Sequence, residues 1–190
     1  TTHANFGYDL ARMSEVRTTV EQTADTVRVV NVGPQKKTPW VVQQLAGLKT
    51  GDTFTDDWVT YFSPVYTRYD QFWNDPTTGK ERRDRYRIYV FFNPIDNDRT
   101  KLIVFTYLRA SSAARRAFIQ RTRPLLSLIV HIEVDCDVKM LASLADKSPD
   151  LEGMKLSRFD RVLGLNRDRI EKIYRGDPTR ATHSSPSIQA

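Results

Sequence analysis

The sequence predicts an α+β fold, an antiparallel sheet with a long C-terminal helix laid across its concave face. Runs of alternating β-branched and aromatic residues fill the chain up to Arg109, and helical patterning takes over beyond it, so the strands come first and the helices last. With 190 residues, 39% of them apolar and 11% aromatic, the chain suffices for one domain of ordinary size with a real core. Wholesale disorder is excluded.

Val16, Thr18 and Val20 alternate in a first run, and Val27, Val29 and Val30 mark a second, joined at Thr23-Ala24-Asp25. That is a hairpin pattern, closed by Gly33-Pro34. Pro39, followed by Trp40, Val41, Val42, Leu45 and Leu48, predicts a short helix with proline near its first turn. From Trp58 to Trp73, β-branched and aromatic residues dominate, interrupted by Ser63-Pro64. Proline cannot donate to a ladder, so a bulge or an edge is expected there, within one bent strand or between two. The loop Asn74 to Gly79 leads to the clearest hairpin, with Tyr86, Ile88, Val90 and Phe92 in one arm and Leu102, Val104 and Thr106 in the other. Both faces of that hairpin carry large side chains, which calls for a cover on one side and a cavity or a partner on the other.

Past Arg109, Ser111-Ser112 can cap a helix from Ala113 to Gln120, and Pro124 is expected to restart the chain for a longer segment toward Leu144. Residues 157 to 175 carry a last amphipathic stretch with Phe159, Val162, Ile170, Ile173 and Tyr174. Gly176 to Ala190, rich in Ser, Thr and Pro, reads as a loose tail. One domain is therefore expected over residues 1–175, with a tail over 176–190.

Charge and cysteine content narrow the function classes. Lys and Arg number 29 against 23 acidic residues, a net charge of +6. Basic residues cluster with aromatics at Arg82, Arg83, Arg85 and Arg87 and again at Arg115, Arg116, Arg121 and Arg123. Acidic residues are mixed through the same stretches, Asp84 among them, so a solvated face or a docking surface for an acidic electron-transfer partner is favoured over nucleic acid. The aliphatic run around Leu125 to Val130 is far shorter than the ~20 residues of a membrane span. The single cysteine, Cys136, excludes an internal disulfide, a multi-thiolate zinc site and any iron–sulfur cluster held by this chain alone. No secretory signal pattern opens the sequence, which makes a cytoplasmic location the expectation. The start at Thr1-Thr2-His3, without Met, suggests a processed chain or a piece of something longer.

The segment Leu125 to Leu144 is the one that can carry chemistry. As a helix, it sets Leu126, Val130, Val134, Met140, Leu141 and Leu144 on one arc with Asp137 among them, and His131 and Asp135 on the other side. A carboxylate amid aliphatic neighbours needs a compensating charge or several donors, which a metal ion or a satisfied core aspartate would provide. As a strand, residues 128–138 alternate cleanly too, and His131, Glu133, Asp135 and Asp137 then face water. Pro124 before and Lys139 to Leu144 after favour helix for the second half and leave the first half ambiguous. The i, i+4 pair His131 and Asp135 suits a shared ligand or, more simply, a solvated pair.

Several stretches together resemble one family. They are His3-Ala4-Asn5 before the hairpin, the Pro39-Trp40 helix, the long aromatic strands, Val134-Asp135-Cys136-Asp137-Val138-Lys139-Met140-Leu141, and the ending from Leu156-Ser157-Arg158-Phe159-Asp160 to Ile173-Tyr174-Arg175. This combination resembles the catalytic domain of Rieske-type non-haem iron oxygenases, in particular the branch that includes pheophorbide a oxygenase. The resemblance implies a helix-grip (Bet v1-like or START-like) sheet around a substrate cavity. It also implies one ferrous ion held by two histidines and a carboxylate, a geometry that leaves positions open for dioxygen beside an apolar substrate.

Carried over by position, Asp137 is the carboxylate ligand and catalytic residue, and His3 is the second histidine. The first histidine and the upstream electron-passing acid would fall before Thr1, and the [2Fe-2S] Rieske cluster on an N-terminal domain absent from these residues. Phe62, Tyr66, Tyr69, Phe72, Phe91, Phe105 and Tyr107 are candidate walls of the cavity, with core packing as their alternative role. Hydroxylation or demethylation of an apolar or aromatic substrate with dioxygen is implied, with a reductase or ferredoxin as partner and a homo-oligomer, a trimer, as the assembly. The isolated residues are expected to be inactive, because they supply at most two of the three ligands. The competing class is a metal-free helix-grip domain that binds an apolar ligand.

Overall fold

The structure is a computed structural model of the chain. It describes residues 6–96, 99–143 and 160–176, of which Arg83, Arg161 and residues 174–176 are described by backbone alone. Each alternating run of the sequence becomes a strand: β1 (Arg17–Gln22), β2 (Thr26–Pro34), β3 (Thr53–Phe62), β4 (Val65–Asn74), β5 (Glu81–Pro94) and β6 (Thr100–Arg109). They form one antiparallel sheet in chain order, β1 to β6, every strand pairing with the next. Ser63-Pro64 separates two strands, as one of the two sequence alternatives had it. The β5–β6 pairing runs without a break from Arg85 opposite Arg109 to Pro94 opposite Thr100.

Because successive side chains point to opposite faces, one parity on each strand builds one face. Phe54 pairs with Trp73, and both lie with Tyr86, Tyr8, Val16, Ala46 and Leu48 in one buried cluster, which defines the inner face. Trp73 is buried with its indole N–H donating to Gln35 Oε1 at 2.9 Å, so the polar end of the largest core side chain is satisfied. A second cluster joins Val27, Val29 and Phe62 to Val162, Leu165, Ile170 and Ile173 at the C-terminal end of the chain.

The predicted short helix is α1 (Trp40–Ala46), closed by Gly47 at φ +72°, a left-handed cap. After β6 comes α2 (Ala113–Ala142), capped by Ser112, whose hydroxyl accepts from Arg115 N at 3.1 Å. The expected interruption at Pro124 does not occur, and one 30-residue helix, about 45 Å long at 1.5 Å per residue, runs through it. Pro124 and Gln120, whose carbonyl loses its helical donor, are both exposed residues, a setting in which a helix tolerates proline at low cost. The final amphipathic stretch becomes α3 (Arg161–Ile170), continued by a wider turn over Glu171–Gly176. Phe159 and the tail from residue 177 onward lie outside the described residues.

Thus the strand-then-helix order read from the sequence gives an α+β architecture, an antiparallel sheet with a long helix after it. Among the described residues, two sets of contacts tie the helix to the rest of the domain between Arg115 and Ile129. Near its N-terminus, Arg115 donates to Asp84 Oδ2 at 2.6 Å and to the backbone carbonyls of Gln44 and Leu45 at 2.9 and 2.7 Å, tying α2 to β5 and to the last turn of α1. Further along, Ile129 and Leu126 pack on Val42, Leu45 and Phe6.

Candidate functional site

The stretch that reads as strand or helix from sequence is helical throughout, which places its side chains by the 100° rule. Half-buried or buried positions along α2 are 115, 119, 122, 126, 129, 130, 133, 134, 136 and 137, one inward stripe. Leu126, Val130, Val134 and Asp137 lie on it, as the predicted arc has them. Met140 and Leu141 do not, since every residue from 138 to 143 is exposed. The last turn of the helix extends past the surface it packs on, so helical phase alone does not bury it. Leu144 lies outside the described residues. His131 and Asp135 are exposed, so that i, i+4 pair sits on the solvent side of the helix.

Glu133 is the acid that sequence reasoning missed. With Ile129 it is one of the two buried residues of α2. Its phase carried the signal, because it stands one turn before Asp137 on the same arc; the strand alternative had masked it by turning it to water.

The inner face of β3 and β4 carries Asp56, Trp58, Tyr69 and Gln71, with Asp56 opposite Gln71 and Trp58 opposite Tyr69. Gln71 Nε2 donates to Asp56 Oδ1 at 3.1 Å, and the Trp58 and Tyr69 rings stack with centroids 6.1 Å apart. Burial holds the Tyr69 phenol well above the usual tyrosine range, and the negative charges of Asp56 and Asp137 add to the shift. The charge of Asp137, half-buried on the inward stripe of α2, is thus felt by a half-buried phenol of the sheet. Burial likewise raises Tyr8, again with Asp56 adding. Asp56 and Asp137 thus add negative charge near Tyr69, and Asp56 near Tyr8, and both phenols hold their protons more tightly than a free tyrosine.

Among the described residues, no three His, Cys, Asp or Glu side chains come together in a group that could hold a metal ion. Those residues offer carboxylates here without an imidazole, so by themselves they do not fit a two-histidine, one-carboxylate iron site. His3, the histidine that the resemblance puts on the metal, lies outside the described residues.

The aromatics expected to wall one cavity are divided between the two faces of the sheet. Phe62 is on the inner face but fully buried against Val27 and Val29 and the α3 region, which is core packing. Tyr66, Phe91, Phe105 and Tyr107 are on the outer face, away from α2, and so is Phe72 under the Arg85 guanidinium. Of the set, Phe62 and Tyr69 are on the inner face, and Tyr69 feels the charge of Asp137. Strand parity is the reason: odd positions of β5 and β6 and even positions of β4 point outward.

On that outer face, Tyr66 stacks on Tyr61 and on Phe91, with centroids 4.5 and 5.2 Å apart, and Phe91 meets Phe105 edge-on at 6.1 Å. An open groove of about 710 Å³ runs along Tyr89, Phe91, Phe105 and Tyr107 toward Arg85, Arg87 and Arg109. Its arginines are engaged: Arg87 forks onto Asp70, and Arg85 forks onto Glu81, which Arg109 also reaches. Comparison with known proteins brings no match, whether to family models, to curated proteins or to solved structures. None of the described helices is long and apolar enough to cross a membrane.

Proposed function

We propose that this chain is the catalytic portion of a Rieske-type mononuclear iron oxygenase acting with dioxygen on an apolar or aromatic substrate. One observation supports it: Asp137, the residue that the resemblance puts on the metal, is half-buried on the inward stripe of α2, and its charge is felt at Tyr69 of the sheet. A carboxylate with no chemical role would be placed at lower cost on the solvent side, where Asp135 is.

In this reading Asp137 and His3 would hold the ion, with the remaining histidine and the Rieske cluster supplied from upstream. A ferrous ion so held supplies dioxygen activation. The residues of this chain do the rest. Trp58 and Tyr69 present apolar ring surface to a substrate, and α2 limits water entry over the inner face. Tyr69, kept protonated by its surroundings, holds a proton within the field of Asp137. A reductase or ferredoxin delivers electrons, and the location is cytoplasmic. Nucleic acid has no part, in keeping with the pairing of Arg82, Arg85, Arg87 and Arg115 with Asp52, Glu81, Asp70 and Asp84.

A second reading, a metal-free helix-grip domain for an apolar ligand, is favoured by the lack of a three-ligand group among the described residues. Iron content separates the two. Full-length protein is reconstituted anaerobically with Fe(II), desalted and assayed for iron. Retention of iron by the wild type and its loss in Asp137→Ala, with the circular dichroism spectrum unchanged, is the expected result. Equal iron in both proteins, or none in either, sinks the oxygenase reading and leaves the ligand-binding one.

A further inference from the structure

The two edges of the sheet are built differently. β1 has six residues, and its outer positions carry Arg17 and Glu21, the latter paired with Arg28 at 3.1 Å. Short length and charge are the usual protections of an exposed edge. β6 lacks both over its middle. It is ten residues long, pairs with β5 alone among the described residues, and has no charge, proline or bulge from Leu102 to Leu108. Both of its faces are open, with Leu102 and Val104 on the inner side and Ile103, Phe105 and Tyr107 on the outer, each between 36% and 58% exposed.

We propose that β6 is a dimerisation edge, along which a second copy of this chain pairs antiparallel about a twofold axis at Val104. Two six-stranded sheets become one continuous sheet. A twofold normal to the sheet keeps inner faces with inner faces only if paired residue numbers share parity, which restricts the registers. With the axis at Val104, Ile103 faces Phe105, Leu102 faces Thr106, and Lys101 faces the ring of Tyr107. These are an aliphatic–aromatic pair, an apolar contact and a cation over a phenol. An axis at Phe105 instead sets Lys101 against Arg109, two like charges. The Val104 register also carries the outer aromatic row from Phe91 and Phe105 into the next copy. This is a twofold assembly, distinct from the trimer that the family resemblance implies, and it does not depend on the iron reading.

Sedimentation velocity on the whole chain tests it, the monomer being 22.0 kDa. Wild type is expected at twice that mass in the micromolar range. Val104→Lys and Val104→Glu each place like charges on the axis and are expected to weaken association at least tenfold with unchanged circular dichroism. An equimolar mixture of the two variants is expected to regain the dimer, because Lys then faces Glu, an outcome that misfolding cannot produce. A monomeric or trimeric wild type, a dimer untouched by both substitutions, or a mixture that stays monomeric overturns the proposal.

Discussion

Replacing Arg115 by Ala removes the tie between α2, the sheet and α1 at a single residue. The Arg115 side chain is 19% exposed and that of Asp84 4%, so the pair is shielded from solvent on both sides. The substitution leaves the Asp84 carboxylate buried without its guanidinium and frees the Gln44 and Leu45 carbonyls at the end of α1 from two donors. Breaking a buried pair from one side typically destabilises by about 3–5 kcal/mol, against ~0–1 kcal/mol for an exposed pair. A loss of about 3–4 kcal/mol is expected for Arg115→Ala, near the lower end because Arg115 keeps some contact with water. Asp84→Ala is expected to lose less, about 2 kcal/mol, since Arg115 keeps both carbonyls. The double variant should then be milder than the sum by about 1–2 kcal/mol. Urea unfolding followed by tryptophan fluorescence reads all three values. A loss below 1 kcal/mol for Arg115→Ala, or strict additivity, would show that the helix is held elsewhere and that this reasoning is mistaken.

Three further outcomes are expected. Gly47→Ala should destabilise by about 2 kcal/mol or more, because the position is left-handed at φ +72° and the added Cβ would meet the Asp84 carboxylate; the thermal midpoint measures it. Trp73→Phe should lose about 2–4 kcal/mol in urea, since it shrinks a buried ring and takes the indole donor from Gln35. In an alkaline titration read by tyrosinate absorbance, Tyr8, Tyr69 and Tyr86, all raised chiefly by burial, should ionise only as the chain unfolds. A raised folded-state value favours the native state below the ordinary tyrosine pKa of about 10 and is lost as pH climbs through the folded value. Stability should therefore fall steeply above about pH 10; gradual, independent ionisation of all eight tyrosines would contradict this.

The fold was legible wherever a short-range period decides the structure. Val16/Thr18/Val20 and Tyr86/Ile88/Val90 have a strict period of two, and the register of β1–β2 and β5–β6 follows it. The sequence around Pro124 misleads because proline removes only one helical hydrogen bond, a small loss for a 30-residue helix at an exposed position. Position 133 misleads for another reason: Leu128 to Val138 satisfies both periods, and where the strand period turns Glu133 and Asp137 together to water, the helix turns both onto its inward stripe. The aromatic walls failed on parity. Alternation identifies two faces but does not say which one a helix seventy residues away from β3 will cover, so Tyr66, Phe91, Phe105 and Tyr107 read equally well as inward or outward. Arg115, Asp84 and the α1 carbonyls come together only through tertiary contact, and no local signal marks them.

The proposed metal-binding role of Asp137 is tested most directly by paramagnetic broadening in the NMR spectrum of the protein, with Mn(II) standing in for the proposed ferrous ion under reducing conditions. At a small fraction of one equivalent, signals of Glu133, Asp137 and Tyr69 should broaden first, while Phe105 and Tyr107 on the far face stay sharp. Broadening that instead starts at exposed surface acids such as Glu81 or Asp96, with Tyr69 unaffected, would contradict a cation site between α2 and the sheet.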